Sequence, residues 1–301
     1  VHETPTRRLS RRRFLTRSLL AGLGVASLPA LTSLAACSPT PPEPDTRLTD
    51  LLGQLRALDR DGVDGGAGMF AGQAKRISAE IIRQCGTEPD AACTTSVDTV
   101  GPSATTPLVR DVRTTVTGIL TDAADSGQAS LLTGVYAALA TVDDATAGAP
   151  AIDTAVVDRE LTGDIPGELG EATSRIHEAV WLTGRVLPTA GTSTSTVTTV
   201  ADRLRLIRDA AVDATGVAAA AGYTFPDGSA AGTGTADSQG AVSVLLEAVH
   251  AVTVDLRRAA SRADGEDRVT VASWCAVAAR CEAALEDRTG TDPLSVPVRG
   301  E

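Results

Sequence analysis

Five cysteines and three histidines are the residues of this 301-residue chain best suited to chemistry. Cys37 closes Leu34-Ala35-Ala36-Cys37, which fits the lipobox pattern Leu-Ala/Ser-Gly/Ala-Cys at every position. That pattern needs a thiolate to take a diacylglycerol and small residues before it to fit the peptidase that cuts there. Glu247-Ala-Val-His250 sets a carboxylate and an imidazole three residues apart, on one face of a helix. Helical bundles use Glu-x-x-His pairs to hold iron, manganese or zinc. His177, beside Glu178, is the third candidate ligand. A di-metal centre wants a second such pair, and the chain has none, so the expectation is no metal cofactor. The alternative is a metal site built from Glu247, His250 and His177. Cys85 and Cys93 flank Gly86 and Pro89 in what reads as a loop, and in an oxidising compartment they are expected to form a disulfide. Cys275 and Cys281 stand about 9 Å apart along one helix by its rise, too far to bridge. No Gly-x-Ser-x-Gly, His-Glu-x-x-His, phosphate-binding loop or dinucleotide fingerprint occurs, so no catalytic residue is expected.

The segments that position these residues begin with an address. Ser10-Arg11-Arg12-Arg13-Phe14-Leu15-Thr16 resembles the twin-arginine export signal, with Arg11, Arg12, Phe14 and Leu15 in register and Thr16 where Lys is usual. A weakly apolar run over 19–36, broken by Gly22, Gly24 and Pro29, suits a cleaved signal rather than a membrane span. Residues 1–36 are therefore expected to be a lipoprotein signal peptide. Residues 37–45 would be a lipidated Cys and a tether stiffened by Pro39, Pro41, Pro42 and Pro44. Palmitate-type acyl chains on Cys37 contribute about 0.8 kcal/mol per buried methylene and would hold the protein on the membrane. No stretch after Cys37 reads as long and apolar enough to span a bilayer.

The chain carries a net charge of −11, and six of its 27 basic residues precede Cys37, so the remainder is more acidic still. Such a surface repels phosphates, which argues against nucleic acid and anionic headgroups as partners. Aromatic residues make up only 2% of the chain, so a core must be built from Ala, Val and Leu. That composition favours closely approaching helices over a sandwich or barrel.

Apolar residues recur at helical spacing throughout. Leu48, Leu51, Leu52, Leu55 and Leu58 mark a helix over 46–61, and Phe70, Ile77 and Ile81 one over 69–84. Two more are expected between 107 and 145, and a short one over 152–161. Four long segments follow, over 165–187, 201–221, 241–262 and 269–288, with a Ser/Thr-rich loop over 189–199 and Gly222 as a stop. No βαβ rhythm appears, so the fold class is all-α. The reading divides the chain into an N-terminal helical region over 46–163, a helical bundle over 164–290 and a loose tail over 291–301.

His177-Glu-Ala-Val-Trp-Leu-Thr-Gly184, Leu206-Ile-Arg-Asp209, Gly222-Tyr-Thr-Phe-Pro226, Leu246-Glu-Ala248 and an Ala-rich last helix with Trp274 carry a family resemblance. Over about 165–297 the chain is similar to a ferritin-like domain family of unknown function. That family is found in twin-arginine-exported lipoproteins of actinobacteria. Its first block runs Glu-His-Ala-Ala-Val-Tyr-Ala-Tyr-Gly. Here His177 and Gly184 match, Ile176 replaces the Glu, and Trp181 and Thr183 replace the tyrosines. The resemblance implies a ferritin-like four-helix bundle and no assigned reaction.

The expectation is thus a lipid-anchored protein on the extracytoplasmic face of the cell membrane, a non-catalytic binding or scaffold protein meeting an envelope protein partner. The alternative is a metal-dependent oxidoreductase using Glu247, His250 and His177.

Overall fold

Apolar periodicity and capping residues set the helices of this chain. The computed structural model describes residues 44–86, 91–147, 157, 159–163, 167–224 and 238–301. The export signal (Arg11, Arg12, Phe14, Leu15), the lipobox with Cys37 and most of the tether lie outside the described residues.

Nine α-helices run in order through these residues: α1 Thr46–Arg60, α2 Ala67–Gln84, α3 Ala91–Thr99, α4 Val109–Thr121, α5 Ser126–Ala147, α6 Gly167–Val186, α7 Thr194–Thr215, α8 Ser238–Arg262 and α9 Gly265–Thr289. The described residues contain no strand. Helix α1 starts where the Asp45 carboxylate accepts the Arg47 N–H at 2.8 Å, satisfying one of the free donors of the first turn. Its leucine stripe is fully buried. Helix α7 ends at Gly216, whose φ of 68° is the left-handed conformation that closes helices. The expected stop at Gly222 is therefore corrected: 217–221 is not helical. The expected loop over 189–199 is also shorter than read, because α7 begins at Thr194. Of the short helix expected over 152–161, residues 157 and 159–161 are described: 157 is helical and 159–161 are not.

Helices α6 and α7 pack together, α7 meets α9, α9 meets α8, and α8 returns to α6, so the four close a ring of neighbours. Helix α5 then lies against both α8 and α9, and α4 against α5 and α9. No break in packing separates 46–163 from 164–290: residues 41–301 form one compact unit, and the N-terminal helices share its core. By length and composition alone, Gln239–Arg262 of helix α8 is long and apolar enough to cross a membrane, a stretch the sequence reading did not expect. In the fold it packs on α5, α6 and α9.

Helix α9 is the axis of the unit. Nearly every residue from Arg268 to Glu286 is buried, including Arg268, Arg280, Glu282 and Glu286. A helix enclosed on all sides normally reads as apolar all round. This one carries charges because each finds a partner on another element.

The segment after α9 is not loose, and that expectation is overturned. Arg299 is fully buried and Val298 is 1% exposed. The Arg299 N–H donates to the Gly134 carbonyl on α5 at 3.1 Å, and Arg257 on α8 donates to the Gly300 carbonyl at 2.9 Å. Two upstream glycines admit the segment. A Cβ at Gly134 would lie 2.4 Å from Val298 Cγ1, and one at Gly72 on α2 would lie 2.7 Å from Pro297 Cβ. Arg76 on α2 completes the strap with two hydrogen bonds to Glu301, at 2.9 and 2.6 Å.

Candidate functional site

Two groups of buried charge meet on α9, one on each side of its C-terminal half. The first joins α5, α7 and α9. Asp144 pairs with Arg203 at 2.8 Å and also accepts a hydrogen bond from Arg280. Arg203 is 2% exposed and Arg280 8%. Beside them lies a pocket of about 410 Å³ lined in part by Thr141, Thr196, Thr199 and Arg288. Cys281 lies close to these charges, but burial pushes its thiol up to about 12. Cys275, whose Sγ is 3.5 Å from the Thr253 carbonyl, is likewise pushed up to about 12 by burial. Neither thiol is a ready nucleophile or metal ligand.

The second group joins α8, α9 and the strap. Glu282 and Glu286 sit one turn apart on α9 and face the Arg299 guanidinium, whose Nη1 is 3.2 Å from Glu282 Oε1 and 2.8 Å from Glu286 Oε1. His250 Nδ1 stands 3.1 Å from the same Glu282 oxygen. The hydrogen bond to Glu282 raises the His250 imidazole above its ordinary value. Burial works against the Glu282 carboxylate, but the His250 hydrogen bond and the Arg299 charge outweigh it and hold the group below the usual range. At Glu286 burial wins over Arg299, and the carboxyl is pushed up. A pocket of about 500 Å³ opens over this group, with Arg76, Glu247 and Glu301 at its margin and Leu246, Val296 and Pro297 as apolar wall.

The candidate ligands read from the sequence do not gather in one place. Glu247 is exposed on α8. His250, three residues on, turns to Glu282. His177 on α6 instead places Nε2 3.1 Å from the Val217 carbonyl just beyond α7. Among the described residues no group of three or more His, Cys, Asp or Glu side chains is set to hold a metal ion. The structure thus pairs His250 with Glu282 and does not bring together Glu247, His250 and His177, the set of the alternative reading. Sequence spacing missed Glu282, Glu286 and Arg299 because they converge from different elements. The one signal was local: Glu282 and Glu286 lie four apart on a helix, where like charges repel unless a cation sits between them.

Cys85 and Cys93 are joined as a disulfide, with their Cα atoms 6.5 Å apart. Cys93 lies in the first turn of α3, so the span between them is not wholly a loop. Trp181 on α6 packs against Tyr223 with ring centroids 5.7 Å apart and planes tilted by 40°.

The chain matches no family model, no curated protein and no solved structure.

Proposed function

We propose that the chain is an extracytoplasmic lipoprotein, exported by the twin-arginine route and held on the membrane through acylated Cys37. In this reading the helical unit is a non-catalytic binding or scaffold protein of the cell envelope, and α6–α9 are a ferritin-like bundle that holds no metal. The observation that carries the proposal is the ordered succession in the sequence. Paired arginines with Phe14 and Leu15 are followed by a short apolar run, then Leu34-Ala35-Ala36-Cys37, then a proline-rich spacer.

Three further features support it. Four prolines after Cys37 suit a stiff spacer between a lipid anchor and the helical unit. The Cys85–Cys93 disulfide suits an oxidising compartment. The four helices α6, α7, α9 and α8 close a ring of neighbours, which supports the four-helix-bundle part of this reading.

The test is expression of the chain in a twin-arginine-competent bacterium fed an alkyne analogue of palmitate. The expected result is a labelled protein in the membrane fraction, accessible from outside. Cys37→Ala would lose the label and the membrane association, and Arg11→Lys with Arg12→Lys would trap an unlabelled precursor inside. Unlabelled wild-type protein in the soluble fraction would sink the proposal.

A further inference from the structure

The buried charge that holds the strap shares its acceptor with a histidine. Arg299 is fully buried, and its Nη1 stands 3.2 Å from Glu282 Oε1 and 2.8 Å from Glu286 Oε1. His250 Nδ1 stands 3.1 Å from the same Glu282 oxygen. Its side chain is 44% exposed, so protons reach it from solvent. Beyond the Pro293–Ser295 turn the strap has no helix of its own, and Arg299 is its one buried cation.

The charges around His250 come from several elements. From α9 come Glu282 and Glu286, from the strap Arg299 and Glu301, from α2 Arg76, and from α8 itself Glu247. Arg76 and Arg257 both lie against Glu301. On α6, Arg175 and Glu178 pair with each other beyond Glu247. On α5, Asp144 is engaged by Arg203 and Arg280. Thr253 of α8 also hydrogen-bonds Glu282, but it carries no charge. In this set the imidazole is the side chain that titrates near neutral pH.

The hydrogen bond to Glu282 raises His250 above its ordinary value, and the Arg299 charge opposes that rise. When the strap leaves, Arg299 goes with it, while Glu282 on α9 stays beside His250 on α8. His250 then answers both carboxylates without a competing guanidinium, and holds its proton more tightly than when the strap is closed. Linkage is reciprocal: a proton that binds the open state better favours opening. Glu286, pushed up by burial, acts in the same sense, because a protonated carboxyl is a weaker partner for Arg299. Against the unfolded chain the sign is opposite. Unfolding removes Glu282 as well as Arg299, so protonated His250 still stabilises the unit as a whole.

We propose that the strap is an acid-released latch: a proton on His250 competes with Arg299 for Glu282, and residues 298–301 lift away from α5 and α8 while the helices stay folded. Gly134, Arg257 and the two carboxylates of α9 are then uncovered. The device goes beyond the reading of the protein as a lipoprotein and works whether or not Cys37 is acylated.

The experiment is amide hydrogen exchange of the full chain in detergent, with α7 as the internal reference. It is read at Arg299, whose N–H bonds to the Gly134 carbonyl. Rates are corrected for intrinsic exchange at each pH. Protection at Arg299 is expected to fall by about threefold or more from about pH 8 to about pH 5.5, with α7 unchanged. His250→Asn keeps a polar group beside Glu282 but cannot titrate, and its strap protection should hold steady over that range. The ring titration of His250, followed by NMR in the wild type, needs no variant: the fall should share its midpoint. Protection that is constant or rises toward acid, the same fall in His250→Asn, or a midpoint apart from the ring titration would each overturn the inference. None of these outcomes touches the export and anchoring reading, which stands or falls on Cys37.

Discussion

The two buried charge groups on α9 differ in what they join. The Asp144 group draws in arginines from α7 and α9, and its members belong to helices already packed by apolar contact. The Glu282–Glu286 group depends on Arg299, which stands on a segment with no long helix of its own. One group adds specificity to a core that apolar burial already builds. The other is what holds the strap in place, and it does so beside an open pocket. Buried ion pairs are weak evidence for stability, but breaking one leaves a stranded charge, and that is where the two groups can be told apart.

The largest effect is expected at Arg299. Arg299→Ala strands Glu286, leaves Glu282 to His250 alone and releases the strap, and should destabilise the unit by about 4–5 kcal/mol in urea unfolding. Hydrogen exchange gives the sharper readout: the strap should lose its protection while α7 keeps its own. Asp144→Ala should cost less, about 3 kcal/mol, because the helices it joins still share an apolar core. Equal loss of strap protection in both variants would erase the distinction between the groups. Gly134→Ala pushes a Cβ into Val298, and overpacking of this kind costs about 2 kcal/mol. Its effect should likewise be confined to the strap.

The smallest effect is one of pH. The His250 imidazole is raised in the folded state, so its contribution is fully present below the ordinary value of 6.5 and is lost as pH rises through the raised value. The stability difference between wild type and His250→Asn should therefore be greatest below about pH 6.5 and shrink above it. A pH-independent His250→Asn difference would break the comparison from the other side.

Much of the helical plan was legible in local spacing. Leu48, Leu51, Leu52, Leu55 and Leu58 repeat at helical intervals, and all five are buried. Local spacing failed where position depends on distant partners. Leu108 keeps helical spacing with Val112 and Val116 but is 54% exposed, because it stands just ahead of α4. Arg280, Glu282 and Glu286 are charged yet buried, and the partners that allow this, Asp144 and Arg299, arrive from other elements. The strap reads as a loose tail because of Pro293 and Pro297, and its one regular element is the short 3-10 turn Pro293–Ser295. What orders it is a pair of missing side chains, at Gly72 and Gly134, far back in the sequence. The candidate site was hidden for the same reason: Glu247 and His250 were visible as a motif, whereas Glu282 and Arg299 become neighbours only in the fold.

Both charge groups serve an envelope function only if the helical unit stands outside the membrane on a lipid tether. The direct measurement is mass spectrometry of the protein purified from membranes, read at its N-terminal peptide. The account predicts a mature chain beginning at Cys37 and carrying the added mass of a diacylglyceryl group with its acyl chains. A peptide that continues upstream through Ala36, or a Cys37 of unmodified mass, would contradict it.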